Sequence, residues 1–352
     1  MNEANSGWRG LSYMRRVLIA LGLATAILVV LFIFWRIVQA LLVLFAACLV
    51  GVFLSGCGRW LQQKTRLGYG WCVMITASAI VAAFVAAGAF LGVRVWLQAD
   101  ELYQSLAQTA QDGLDWIRQA HWGQQLLEEM EDNGLQIGEW LLPAGQVVMG
   151  GVGAIGMALL IAVIGLYLAA DPELYTSAVL RLVPVGRRPR AREVLDAVGH
   201  ALAGWLFAQV ISMAIIGTLV AGGLWLFGIE LWLILGLLAG LLTFIPNLGP
   251  IIAGVPPVLL ALNQSVVLAA GVVAYFTAVQ MVEGYVVTPL VQQRVIRLPP
   301  AGILATQLLM GWALGMLGVA LAAPLLALMM VVVEMVYVQD LLGDHDLKIT
   351  GQ

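Results

Sequence analysis

The sequence predicts an all-α, polytopic integral membrane protein of about eight apolar segments, some of them broken or re-entrant, with a small extracytoplasmic helical insert. Three observations carry that reading. Hydrophobic residues make up 62 % of the 352-residue chain and charged residues 11 %, where soluble domains carry about 25 % charged. From Leu231 to Val282 the chain runs fifty-two residues without one Asp, Glu, Lys or Arg, and a single span needs only about 20 apolar residues. That run is broken inside by Phe244-Ile-Pro-Asn-Leu-Gly-Pro-Ile-Ile-Ala-Gly-Val-Pro-Pro257. Backbone interrupted at membrane depth is tolerated only where protein buries it or where it lines a watery cavity.

The elements follow in order. Arg15-Arg16 precedes Val17–Trp35, nineteen uncharged residues. This is longer than the apolar core of a cleaved signal and has no small-residue cleavage site after it, so it reads as an uncleaved first span. Ile37–Ser55 reads as a second, joined to the first by a tight hairpin at Arg36. A short basic loop, 58–70, holds Arg59, Lys64 and Arg66, and Trp71–Val93 is a third span with a small-residue motif at Gly88 and Gly92. Residues 1–97 are thus read as three N-terminal membrane helices.

Residues 98–146 change character. They hold nine carboxylates against one cation, Arg118, with apolar residues at helical spacing. This is an acidic extracytoplasmic insert of short amphipathic helices, its acids a solvated face rather than a calcium loop. The remainder, 147–338, reads as the membrane core, and 339–352 as a polar tail. Within the core, Val147–Ala170 is a fourth span and 171–204 a basic stretch including a surface-lying amphipathic helix. Trp205–Phe227 is a fifth. The two charge-free runs, Leu231–Val282 and Leu298–Val333, follow.

Lys and Arg favour the cytoplasmic side. The basic loops 1–16, 58–70, 171–204 and 284–297 are therefore expected inside, and 98–146 outside.

The breaks are the candidate functional features. Pro246, Gly249, Pro250 and Pro256 punctuate the first run, Pro289 follows it, and Gly311, Gly315 and Pro324 punctuate the second. Paired interruptions of this kind point to a transporter's binding region. Asn247 sits inside the first break, where an amide and freed backbone groups could hold a polar ligand or a cation. A turn-forming Asn is the plainer alternative. Glu283 is the carboxylate that ends the long run. Ionisable groups at membrane depth are costly and often functional, so it is a candidate proton carrier. Alternatively it is hydrated, or paired with Arg294 or Arg297 of the loop. Gln280, Thr288 and Gln307 are further polar groups near the breaks, suited to helix–helix hydrogen bonds or to ligand contact.

Other chemistries lack their residues. No Gly-x-x-x-x-Gly-Lys-Ser/Thr loop occurs, so ATP coupling within the chain is not expected. His121, His200 and His345 lie in unrelated segments, and Cys48, Cys57 and Cys72 sit in or beside apolar ones. Neither set has metal-ligand or disulfide spacing, and no metal or cofactor is expected. No nucleophile–base arrangement stands out, so no enzyme is expected. The basic residues are explained by membrane orientation without nucleic acid.

Three motifs in order carry a resemblance. The Phe244–Pro257 segment, Val282-Glu-Gly-Tyr-Val-Val-Thr-Pro-Leu290 with Arg294 and Leu298-Pro-Pro300 behind it, and Gly311-Trp-Ala-Leu-Gly-Met-Leu-Gly-Val-Ala-Leu-Ala-Ala-Pro324 together resemble the autoinducer-2 exporter family. The first 146 residues resemble it in layout alone, and Gln292-Gln293 departs from the family's pattern. The resemblance implies a multi-pass protein of the bacterial inner membrane that exports a small molecule. Some relatives look like sodium (lithium)/proton antiporters. It also implies a homo-oligomer, a pentamer being the expected form. Three readings stand at this stage: a secondary exporter of a small polar solute, a cation/proton antiporter using Glu283, and a non-transporting scaffold whose acidic insert binds a partner.

Overall fold

The computed structural model describes residues 6–82, 151–292 and 298–344. The acidic insert, Gly88, Gly92, Arg294, Arg297 and His345 lie outside the described residues. The chain divides into two units, 1–46 and 47–352, and the site lies wholly in the second.

The described residues are helical throughout. Helix α1 is Ser6–Lys64, α2 is Tyr69–Ala82, α3 is Gly151–Ala170 and α4 is Pro172–Arg181. A single 3₁₀ turn, Val185–Arg187, leads into α5, Arg188–Leu226. Then come α6, Trp232–Leu242, α7, Leu248–Gln264, and α8, Val266–Val282. The chain continues from α8 in wider, π-type turns over Glu283–Gln292. Helix α9 is Pro300–Val332, followed by π-type turns over Val333–Gln339. Among the described residues four stretches are long and apolar enough to cross a membrane: Leu28–Lys64, Val185–Leu226, Val266–Leu290 and Pro300–Gln339.

The hairpin expected at Arg36 is not there. Helix α1 runs through that residue without a turn. The reason is local: no Gly, Pro, Asn or Asp stands between Leu28 and Val50, and Arg is a good helix former. The Arg36 guanidinium lies 5.2 Å from the centre of the Phe32 ring, one helical turn back.

The amphipathic surface helix is α4. It bends 86° away from α3 and is capped by Asp171, which accepts from the Leu174 amide. Arg192 of α5 pairs with Glu173 at 2.7 Å. Arg190 ties the start of α5 to the end of the α9 run, meeting Asp340 at 2.9 Å and donating to the Met335 carbonyl and to Gln339.

The core of the second unit is made by α5 to α8, from Ile216, Val220 and Leu224 through Leu235 and Ala239 to Ala253, Val272 and Phe276. Helices α5 and α6 run antiparallel with their backbones almost touching. A Cβ on Gly240 would stand 3.1 Å from the Gly217 Cα, and one on Gly236 would press into Ala221. Small residues permit this approach where lipid offers no hydrophobic drive between helices. The Gly236/Gly240 face is thus spent inside the chain, because α6 packs it onto α5.

The first break is real. Helix α6 has 11 residues and rises about 16 Å, short of the roughly 30 Å hydrocarbon core. It ends, the chain turns through 243–247, and α7 packs back against it. Gly249 sits where the reversal is tightest, since a Cβ there would collide with the Leu242 carbonyl oxygen. The second run breaks at one point, Gly315, with φ 67 and ψ −151, a conformation open to glycine. The other expected breakers end nothing. Pro256 lies inside α7, Gly311 and Pro324 lie inside α9, and Pro289 falls within the π-type turns. Membrane helices tolerate such residues where neighbouring helices take up the freed backbone groups.

Candidate functional site

The five-residue interruption between α6 and α7 is shaped by its own residues first. Pro246 cannot donate a backbone hydrogen bond. Asn247 has φ 66 and ψ −52 and is the one non-glycine with positive φ among the described residues. The Leu248 amide donates to the Pro246 carbonyl at 2.8 Å. This i to i+2 bond around a positive φ makes a γ-turn of the strained kind. Such a conformation costs about 1–3 kcal/mol and persists only where its surroundings over-determine it.

The surroundings do so from two long helices. Gln209 of α5 donates from Nε2 to the Thr243 carbonyl. Gln307 of α9 donates from Nε2 to the Pro246 carbonyl at 2.8 Å. Both glutamines are 2 % exposed. Thr243, itself buried, donates its hydroxyl to the Ala239 carbonyl at 2.8 Å and so closes the last turn of α6. Trp205 packs edge-on against Phe244, ring centres 5.8 Å apart. Two carbonyls of the break, those of Thr243 and Pro246, thus accept from side chains, as a buried backbone demands.

The break forms one wall of a cavity of about 1220 Å³. Trp205 and Gln209 line it from α5, Asn247 and Thr243 from the break, and Ile251 and Val255 from α7. Phe276, Thr277 and Gln280 come from α8, Glu283 and Thr288 from the π-type turns, and Pro300 and Ile303 from α9. The walls are mostly apolar, with convergent amides and hydroxyls and one carboxyl group. Small-molecule sites commonly have this composition. Glu283 brings its Oε2 to a buried position without a hydrogen-bond partner among the described residues. Ser212 Oγ and Gln307 Oε1 share that state, and unsatisfied buried polar atoms call for a reason.

Four of the five polar residues singled out from sequence therefore meet at one cavity: Asn247, Gln280, Glu283 and Thr288. The fifth, Gln307, is not on its surface. It stands behind the break and touches it through Pro246. Sequence reading missed Gln209, Thr243 and Thr277. A signal for Gln209 was present, because it is an amide in the middle of the apolar stretch Trp205–Phe227. It also missed Glu334, a carboxyl group 3 % exposed near the end of the last span. Among the described residues no cluster of His, Cys, Asp and Glu is arranged to hold a metal.

An all-α membrane protein whose broken helices enclose a largely apolar cavity with a few polar groups belongs, by architecture, with membrane carriers. The chain is a member of the AI-2E transporter family: the model "AI-2E family transporter" matches residues 23–337. Relatives include the Bacillus subtilis "Putative transport protein YrrI", 32 % identical over 165 residues, which are 47 % of each chain. The Escherichia coli K12 "Putative transport protein YhhT" is 34 % identical over 110 residues, 31 % of this chain and 32 % of that one. The Escherichia coli K12 "AI-2 transport protein TqsA" is 24 % identical over 156 residues, 43 % of each. In these alignments the chain spans less than half the length of the relatives it matches. Family and relatives alike are named for transport.

Proposed function

We propose that the protein is a secondary transporter that exports a small polar solute, such as an autoinducer-2-like signal, across the bacterial inner membrane, with proton or sodium flux as the driving force. The observation that carries this reading is the cavity between α5, the α6–α7 break, α8 and α9. Its neutral amides and hydroxyls suit a hydroxyl-rich solute, and its volume leaves room for one. The γ-turn at Asn247 puts an amide and strained backbone at the cavity wall, where they can meet a ligand. The chain is proposed to work as a homo-oligomer, a pentamer by family resemblance, with 98–146 outside the cell.

A second reading, sodium (lithium)/proton antiport, is favoured by one observation. Glu283 lines the same cavity, and its buried Oε2 has no hydrogen-bond partner among the described residues, as suits a group that exchanges a proton for a cation. Purified protein in liposomes decides between them. Flux of autoinducer-2-like sugars, with or without a coupled flux of sodium or protons, supports export. Proton release on addition of sodium or lithium, with no sugar flux, supports antiport. Neither flux, in protein that is folded and oriented, sinks both.

A further inference from the structure

Gln307 reads as a pathway residue from its sequence position, yet its side chain does not reach the cavity. Its one hydrogen bond goes to a backbone carbonyl, that of Pro246. The same carbonyl accepts from Leu248 and closes the γ-turn at Asn247. Pro246 O is therefore the point where an otherwise unfavourable turn is tied to α9. The donor comes from a helix that is itself interrupted eight residues later, at Gly315.

We infer that Gln307 is a positioning residue: its amide N–H, donated to the Pro246 carbonyl, holds the strained γ-turn that presents Asn247 to the cavity, and Gln307 makes no contact with the solute. Three facts support the assignment. The side chain is almost fully buried and is not among the residues that line the cavity. The turn it holds has a positive φ on a residue with a Cβ, which needs external support. The other end of the break is held in the same manner by Gln209 through Thr243. Two amides from two long helices thus fix the two ends of one short segment.

The test uses the full chain in lipid nanodiscs, comparing wild type with Gln307→Leu and Gln307→Glu. Leucine cannot donate. A neutral glutamic acid can donate its O–H to the Pro246 carbonyl, and the ionised form cannot. Helices α6 to α9, the break, and α5 from Trp205 carry no Asp, Glu, Lys, Arg or His. Glu283 is the titratable group that lines the same cavity as the break, and Gln307→Glu in a Glu283→Gln background separates its titration from that of the new carboxyl. Hydrogen exchange in the peptide 244–250 should rise roughly tenfold in Gln307→Leu at every pH, as expected for loss of one buried hydrogen bond. In Gln307→Glu the ratio should start near one in acid and climb toward the leucine value as pH rises. A ratio in Gln307→Glu that is already at the leucine value in acid, where the carboxyl is neutral and can donate, or wild-type exchange in the leucine variant, overturns the assignment. If leucine prevents folding, the glutamate series decides alone. The inference rests on the transport reading only in its second readout: the maximal transport rate should fall in step with the exchange ratio while the apparent substrate affinity changes little. If wild type moves none of the solutes, the transport reading fails and the exchange result still decides the role of Gln307.

Discussion

Gln307 and Pro246 are sixty-one residues apart in sequence and 2.8 Å apart in space, amide nitrogen to carbonyl oxygen. That bond joins the last membrane helix to the interruption in the middle of the chain. It lets the two charge-free runs act on one another. Around it the break becomes a defined object with a wall, two tethers and one residue, Asn247, held at positive φ.

Asn247 has two separable roles, turn former and ligand group. Asn247→Gly keeps the positive φ at little cost and removes the amide, whereas Asn247→Ala loses both and adds about 1 kcal/mol of backbone strain. If the amide contacts solute, both variants lose apparent substrate affinity, and alanine also lowers the melting temperature. Glycine with wild-type affinity would leave Asn247 a turn residue only.

Glu283→Gln keeps the shape of the side chain and removes its charge change. Transport by the variant should no longer vary with pH over the range in which wild type does, with expression and assembly unaltered. A wild-type pH profile in the glutamine variant, measured in liposomes, removes Glu283 from proton movement.

Gln209→Leu removes the side-chain donor to the carbonyl of the buried Thr243. A buried acceptor left unsatisfied costs about 1–3 kcal/mol. Thermal unfolding in mild detergent should show a loss of that order, and Thr243→Val should cost less, since its backbone carbonyl keeps the Gln209 bond. Equal stability of Gln209→Leu and wild type would mean that the tether carries no energy.

Gly236→Val tests where the small-residue face is used. The added methyl groups press into Ala221 of α5, and overpacking of this kind costs about 1–3 kcal/mol. The melting temperature should fall while the mass of the assembly in mild detergent stays the same. Loss of assembly with unchanged melting would make this face an oligomer contact.

Composition and charge spacing were sufficient for the class. Sixty-two per cent hydrophobic residues and a fifty-two-residue run without charge admit only membrane helices, because unpaired backbone has no solvent in hydrocarbon. The Pro246–Pro250 break was legible for the same reason, since proline and glycine act through their own backbone. Local chemistry did not distinguish breakers that break from those that do not. Gly315 takes a positive φ, while Pro256, Gly311 and Pro324 stay within helices, and the difference lies in what packs around each. Nor could it show α1 continuing past Arg36, because a lone charge between apolar runs reads equally as a turn or as a helix position. Asn247, Gln280, Glu283 and Thr288 could be picked out singly as polar groups in apolar surroundings, but their meeting at one cavity depends on how α8 and its π-type turns lie against the break. The division of labour between Asn247 at the cavity and Gln307 behind it came from tertiary structure alone. Both are amides beside a break in the sequence, and only the fold directs one to open space and the other to a carbonyl sixty-one residues away.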